Sequence, residues 1–79
     1  MRILFFAQLK DATGCSETRL AAPAPFTTET LWTALLELFP SLASHRPYVR
    51  LARNGEFAGT DTLFGNDDEV ALLPPVSGG

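Results

Sequence analysis

Only one stretch of this chain repeats its apolar residues with the period of a helix, and that limits the folds open to it. Leu31, Leu35 and Leu38 fall at i, i+4 and i+7, Ala34 lies beside them, and Leu42 follows a turn further on. Thr27 is placed to cap the start with its hydroxyl, and Glu29 puts a carboxylate in the first turn, where the helix dipole favours it. Pro40, which has no N–H to donate, ends or kinks the helix. The leucine stripe is expected to pack on a sheet, with Trp32, Leu36 and Phe39 widening it, so it reads as core rather than as a binding groove. The remainder of the chain must then supply the strands.

Residues 2–8 are β-branched and aromatic without alternating cleanly. Ile3, Phe5 and Ala7 share one parity, Leu4 and Phe6 the other, so both faces are apolar and the strand belongs at the centre of a sheet. One face packs on the helix, and the other is covered either by the protein's own loops or by a partner. Residues 9–14 read as a short turn or helical loop stopped by Gly14. Residues 15–22 read as a second strand, with Thr18, Leu20 and Ala22 against Glu17, Arg19 and Ala21. Pro23 and Pro25 end it, and it forms a hairpin with the first strand.

Residues 41–47 show no regular pattern. His45 has no carboxylate or nucleophile spaced to accompany it and reads as an exposed loop residue. Residues 48–54 give a third strand, with Val49 and Leu51 on one parity and Arg50 and Ala52 on the other. Asn54-Gly55 suits a type I′ turn, which needs positive φ at both positions, and residues 56–58 form a short return strand. Residues 59–68 are turn-rich, pinned to the core by Leu63 and Phe64. Asp61, Asp67, Asp68 and Glu69 lack the spacing of a calcium loop and read as a solvated turn, so no metal is expected. Residues 69–73 form the last strand. With the first and last strands side by side at the centre, a mixed sheet grips one main helix. This is an α+β, β-grasp (ubiquitin-like) architecture, with a domain over residues 1–73 and a flexible tail over residues 74–79.

At 79 residues the chain makes one domain, with no room for a separate catalytic one. A net charge of −3 disfavours nucleic acid as a partner and suits a protein with a basic groove. The single Cys15 excludes an internal disulfide framework. The apolar run of residues 3–7 is too short for a signal sequence or a membrane span, so the reducing cytoplasm is the expected compartment.

The tail carries the functional reading. Pro74-Pro75 stops the last strand and directs the chain away in an extended course. Gly78 and Gly79 have no Cβ, so another protein's backbone can close around them and a reagent can reach the final carbonyl carbon. An α-carboxylate there is an anion at neutral pH, able to attack the α-phosphate of ATP and form an acyl-adenylate. The alternative is an inert, frayed end on an interaction module.

Leu4-Phe5-Phe6-Ala7-Gln8 at the start, Asp68-Glu69-Val70-Ala71 near the last strand and Pro74-Pro75-Val76-Ser77-Gly78-Gly79 at the end carry a family resemblance. On these stretches the chain resembles the ubiquitin-like sulfur-carrier family, most of all the small subunits of molybdopterin synthase. The resemblance implies that Gly79 is adenylated by a ubiquitin-activating-like adenylyltransferase, which uses ATP, and then converted to a thiocarboxylate with a sulfur donor system. It implies that Pro74, Pro75, Val76, Ser77 and Gly78 guide the tail into the large subunit of molybdopterin synthase, in a heterotetramer. There the sulfur passes to cyclic pyranopterin monophosphate to build the molybdopterin dithiolene of the molybdenum cofactor. The chain itself would be the non-catalytic, sulfur-donating subunit, with no permanently bound cofactor and the catalytic side chains on the large subunit. Phe6 and Leu73 are the expected partner surface, on parity. A carrier of the same fold in thiamine synthesis and a ubiquitin-like modifier that conjugates to lysines are the alternatives.

Overall fold

Strand β1 (Arg2–Phe5) turns Ile3 and Phe5 into the core, while Leu4 faces the other way and is half-buried. The computed structural model describes residues 1–21 and 25–74. Its first strand is shorter than the apolar run of residues 2–8, because Ala7 adopts φ 51°, ψ −129° and turns the chain out of the ladder. Gln8 consequently opens helix α1 (Gln8–Thr13) instead of closing a strand. Leu9 anchors α1 in the core. Gly14 ends it in the left-handed conformation, φ 79°, with its N–H donating to the Lys10 carbonyl at 2.9 Å.

Strand β2 (Glu17–Arg19) runs antiparallel to β1, pairing Thr18 with Ile3. The two are joined through α1 and not by a tight hairpin turn. Of the longer strand expected here, Ala22 and the terminating Pro23 lie outside the described residues.

Helix α2 (Thr28–Leu38) begins as its composition dictates, with the Thr27 hydroxyl accepting from the Thr30 N–H at 3.1 Å. Leu31, Leu35 and, beyond the helix, Leu42 are fully buried, each contributing about 2–3 kcal/mol by leaving water. Leu38 departs from the expected stripe and is 52% exposed. The helix stops there. Phe39 (φ −133°) and Pro40 redirect the chain into a 3₁₀ turn, Pro40–Ser44, in which Leu42 joins the core and Phe39 packs against it. Phe39 meets Phe5 edge-on at 5.3 Å. A second 3₁₀ turn, Arg46–Tyr48, follows, so Tyr48 precedes the next strand instead of starting it. His45, between the two turns, is half-buried.

Strand β3 (Arg50–Arg53) and strand β4 (Glu56–Phe57) are joined by Asn54 (φ 51°) and Gly55 (φ 88°), as the type I′ turn requires. In the following loop Phe64 is fully buried and exchanges backbone hydrogen bonds with Phe26 at 2.7 and 2.8 Å. Leu63, expected to help pin this loop, is 53% exposed, because neighbouring residues of an extended segment face opposite ways. Strand β5 (Glu69–Leu73) completes the sheet.

Among the described residues the strand order is β2-β1-β5-β3-β4, with β1 and β5 parallel at the centre and the other pairings antiparallel. A parallel pair needs a crossover, and here the crossover carries α2 across the core-facing side of the sheet. This is the β-grasp, ubiquitin-like arrangement. Both edge strands are only two or three residues long, which leaves little unpaired backbone for edge-to-edge aggregation. No described helix is long and apolar enough to cross a membrane.

Candidate docking face and tail exit

β5 is paired along both edges. On one side Phe5 lies opposite Leu72, and on the other Arg50 lies opposite Leu73. Ladders on both sides fix the point from which the chain leaves the sheet. Pro74 follows, half-buried and without an N–H to continue the pairing. Pro75, Val76, Ser77, Gly78 and Gly79, the rest of the expected tail, lie outside the described residues.

Alternation along the strands divides the sheet into two faces. Ile3, Phe5, Val70, Leu72 and Leu51 face α2, and the opposite face is apolar along its middle. Leu4 pairs with Ala71, Ala71 with Ala52, and Ala52 with Phe57, which is 65% exposed. Phe6 and Leu73 each stand one residue beyond the Phe5–Leu72 pair, so both flank the end of the central strands where the tail departs. Phe6 is 44% exposed and Leu73 half-buried. Three residues near this face were not singled out from sequence. Arg50 lies over the Phe57 ring, 4.6 Å from its centroid, and Tyr48, 65% exposed, immediately precedes β3 near the exit. The Asn54-Gly55 turn held the signal for Phe57, since the register it sets puts Phe57 opposite Ala52.

A family model described as the ThiS family matches residues 3–79. The chain belongs to the ThiS family. The molybdopterin synthase sulfur carrier subunit of Arabidopsis thaliana is 35% identical over 79 residues, an alignment covering 100% of this chain and 82% of that relative. The crystal structure of SAMP1 from Haloferax volcanii superposes with a TM-score of 0.85 at 32% identity, covering 100% of this chain and 98% of that one. A complex of subunits 1 and 2 of the molybdopterin-converting factor from Helicobacter pylori shares the fold, with a TM-score of 0.70 at 24% identity over 99% of this chain and 96% of that one.

In this ThiS-family chain the outer face does not carry the overall negative charge. Alternation places Arg2, Arg19 and Arg50 on it against Glu17 and Glu69, so the acidic excess lies elsewhere. Arg2 bridges the two glutamates, at 3.2 Å to Glu17 and 2.8 Å to Glu69. Its hydrogen bonds and charge hold the Glu17 carboxyl below the usual range, and Glu17 in turn raises the Arg2 guanidinium.

The acidic stretch before β5 serves as a structural lock. Asp68 accepts from the Gly65 N–H at 2.7 Å and from the Asn54 side-chain amide at 3.0 Å, while Asn54 Oδ1 accepts from the Glu69 N–H at 2.9 Å. These donors, the Gly65 N–H first, hold the Asp68 carboxyl low. Among the described residues no three His, Cys, Asp or Glu side chains gather as a metal site. Two grooves of about 280 and 230 Å³ open beside β4, and neither is lined by a cysteine, histidine or lysine. The features the fold sets at the tail exit are thus an anchored strand end and an apolar face, which suit docking to another protein.

Proposed function

We propose that the chain is the sulfur carrier of a molybdopterin synthase. The carboxylate of Gly79 attacks the α-phosphorus of ATP on a ubiquitin-activating-like adenylyltransferase, pyrophosphate leaves, and a sulfur nucleophile then displaces AMP at the carbonyl carbon to give a thiocarboxylate. Residues 74–79 enter the large subunit, and the sulfur is transferred to cyclic pyranopterin monophosphate. Phe6 and Leu73 dock against that subunit beside the entering tail. The carrying observation is similarity along the whole of this chain, at 35% identity, to a molybdopterin synthase sulfur carrier subunit. The doubly paired β5, which delivers the chain to Pro74 at the edge of an apolar face, supports it. The similar Helicobacter pylori fold occurs in a complex with a second subunit, which is consistent with the docking role.

Reconstitution with the large subunit, the activating enzyme and a sulfide source tests this. The full chain is expected to convert cyclic pyranopterin monophosphate, and a chain lacking Gly78 and Gly79 to yield no product. Equal product from both would overturn the proposal.

A second reading is favoured by a specific observation, the 0.85 TM-score and 32% identity to SAMP1 of Haloferax volcanii, together with 32% identity to a protein of that organism called small archaeal modifier protein 1. In that reading the same activated Gly79 is captured by an amine, and lysine-linked adducts on other proteins would support it.

A further inference from the structure

Three arginines of this chain give their guanidinium groups to its own oxygens: Arg2 to Glu17 and Glu69, Arg46 to Glu29, and Arg53 to the Leu63 carbonyl at 2.6 Å. Arg50 donates to no described residue. Its guanidinium lies over the Phe57 ring, 4.6 Å from the centroid, which holds a long side chain in place and leaves its N–H groups without an acceptor. Arg50 stands opposite Leu73, at the end of β5 from which the tail departs, whereas Arg2 stands opposite Glu69 at the start. Glu69 and Leu73 are about 13 Å apart along the strand. Both glutamates of the outer face are therefore gathered on Arg2 at the far end, where Arg19 lies opposite Arg2.

The groove of about 230 Å³ beside β4 is lined by Arg50 and Phe57 on the sheet, by Thr28 and Trp32 on α2, and by Thr60; of the residues lining it, Arg50 alone is charged. A protein that covers the exposed Phe57 ring also takes the guanidinium over it out of water. A desolvated charge is strongly unfavourable unless an opposite charge meets it in good geometry. We propose that Arg50 is a specificity-determining residue of the docking face, receiving in this groove the carboxylate of an Asp or Glu of the large subunit. The proposal rests on the reading that the outer face docks that subunit. The planar guanidinium pairs two N–H groups with the two carboxylate oxygens, a geometry that a lysine cannot offer. Because the ring already orders the side chain, less freedom is lost on docking. A protein with no carboxylate at this place buries Arg50 unpaired, so the residue rejects wrong partners as well as attracting the right one.

Calorimetry of the full chain with the large subunit from the same organism, at low and at high salt, tests this with wild type, Arg50→Gln and Arg50→Lys. Urea unfolding of each variant checks that the sheet is intact. At low salt Arg50→Gln is expected to weaken binding by at least about tenfold. Its affinity should also respond less to salt than that of the wild type, since one charge pair is gone. Arg50→Lys, which keeps the charge and loses the planar fork, is expected to recover only part of the loss. Two results would each overturn the proposal: Arg50→Gln binding as tightly as the wild type or more tightly, or a loss of affinity equal at both salts, which would trace to packing and not to a charge pair. Wild-type binding with Arg50 indifferent removes this proposal alone, whereas a wild type that does not bind the large subunit removes the docking reading beneath it as well.

Discussion

At the scale of single residues, the positions that could be read from the sequence are those where a side chain acts on its own backbone. Thr27 caps α2 and Asn54-Gly55 turns the hairpin because both effects are local. Ala7 carried no such signal, since its φ of 51° with ψ −129° belongs to a region glycine prefers, and the conformation is imposed by the core placement of Phe5 before it and Leu9 after it. Backbone strain of this kind costs about 1–3 kcal/mol. Ala7→Gly removes it while adding about 0.5–1 kcal/mol of unfolded-state freedom. The variant is expected to gain about 1 kcal/mol in urea unfolding, and a net loss would show that the turn at Ala7 carries no strain. Leu38 was misassigned for a different reason. Its spacing matches Leu31, but the helix ends before a residue at that position meets the sheet, and Leu42 takes the buried place.

At the scale of elements, each strand was recognised, and the strands before β5 were drawn too long. Apolar and β-branched composition continues through Phe6 and Tyr48. However, β1 ends because Ala7 turns the chain out of the ladder, and β3 begins only at Arg50, where the last residue of β5 is there to pair with it, neither of which composition records. β5 was bounded correctly because Pro74 ends it covalently and the Asp68 turn starts it. That turn titrates. Asp68 and Glu17 have folded-state pKa values below their ordinary 3.8 and 4.5, so the stability they contribute is present above those values and is lost as pH falls through the lower folded-state values. Urea midpoints are therefore expected to drop from roughly pH 4 downward. Asp68→Ala should cost about 1–2 kcal/mol at neutral pH, with a shallower acid limb. An acid limb as steep as that of the wild type would show that the Asp68 lock plays no part in it.

At the scale of the whole molecule, the central placement of the first and last strands could be inferred from their apolar character, and the β1–β5 pair bears this out, whereas the positions of the other three strands come from the folded sheet. The outer face was legible only in part. Phe6 and Leu73 stood out by parity, but Phe57 and Arg50 joined them through a register that only the folded sheet reveals. If this face docks the large subunit, Phe6→Glu and Leu73→Glu should each weaken the complex by at least about tenfold, or about 1.4 kcal/mol, in calorimetry. Unchanged affinity for either would remove that residue from the interface. The central claim, however, concerns the carboxyl at the end of the tail. Intact mass of the protein purified from its own cells, with the modified peptide localised, tests it most directly. The account predicts a population in which one oxygen of Gly79 is replaced by sulfur. Free acid alone, even after incubation with ATP, the activating enzyme and a sulfur donor, would contradict it.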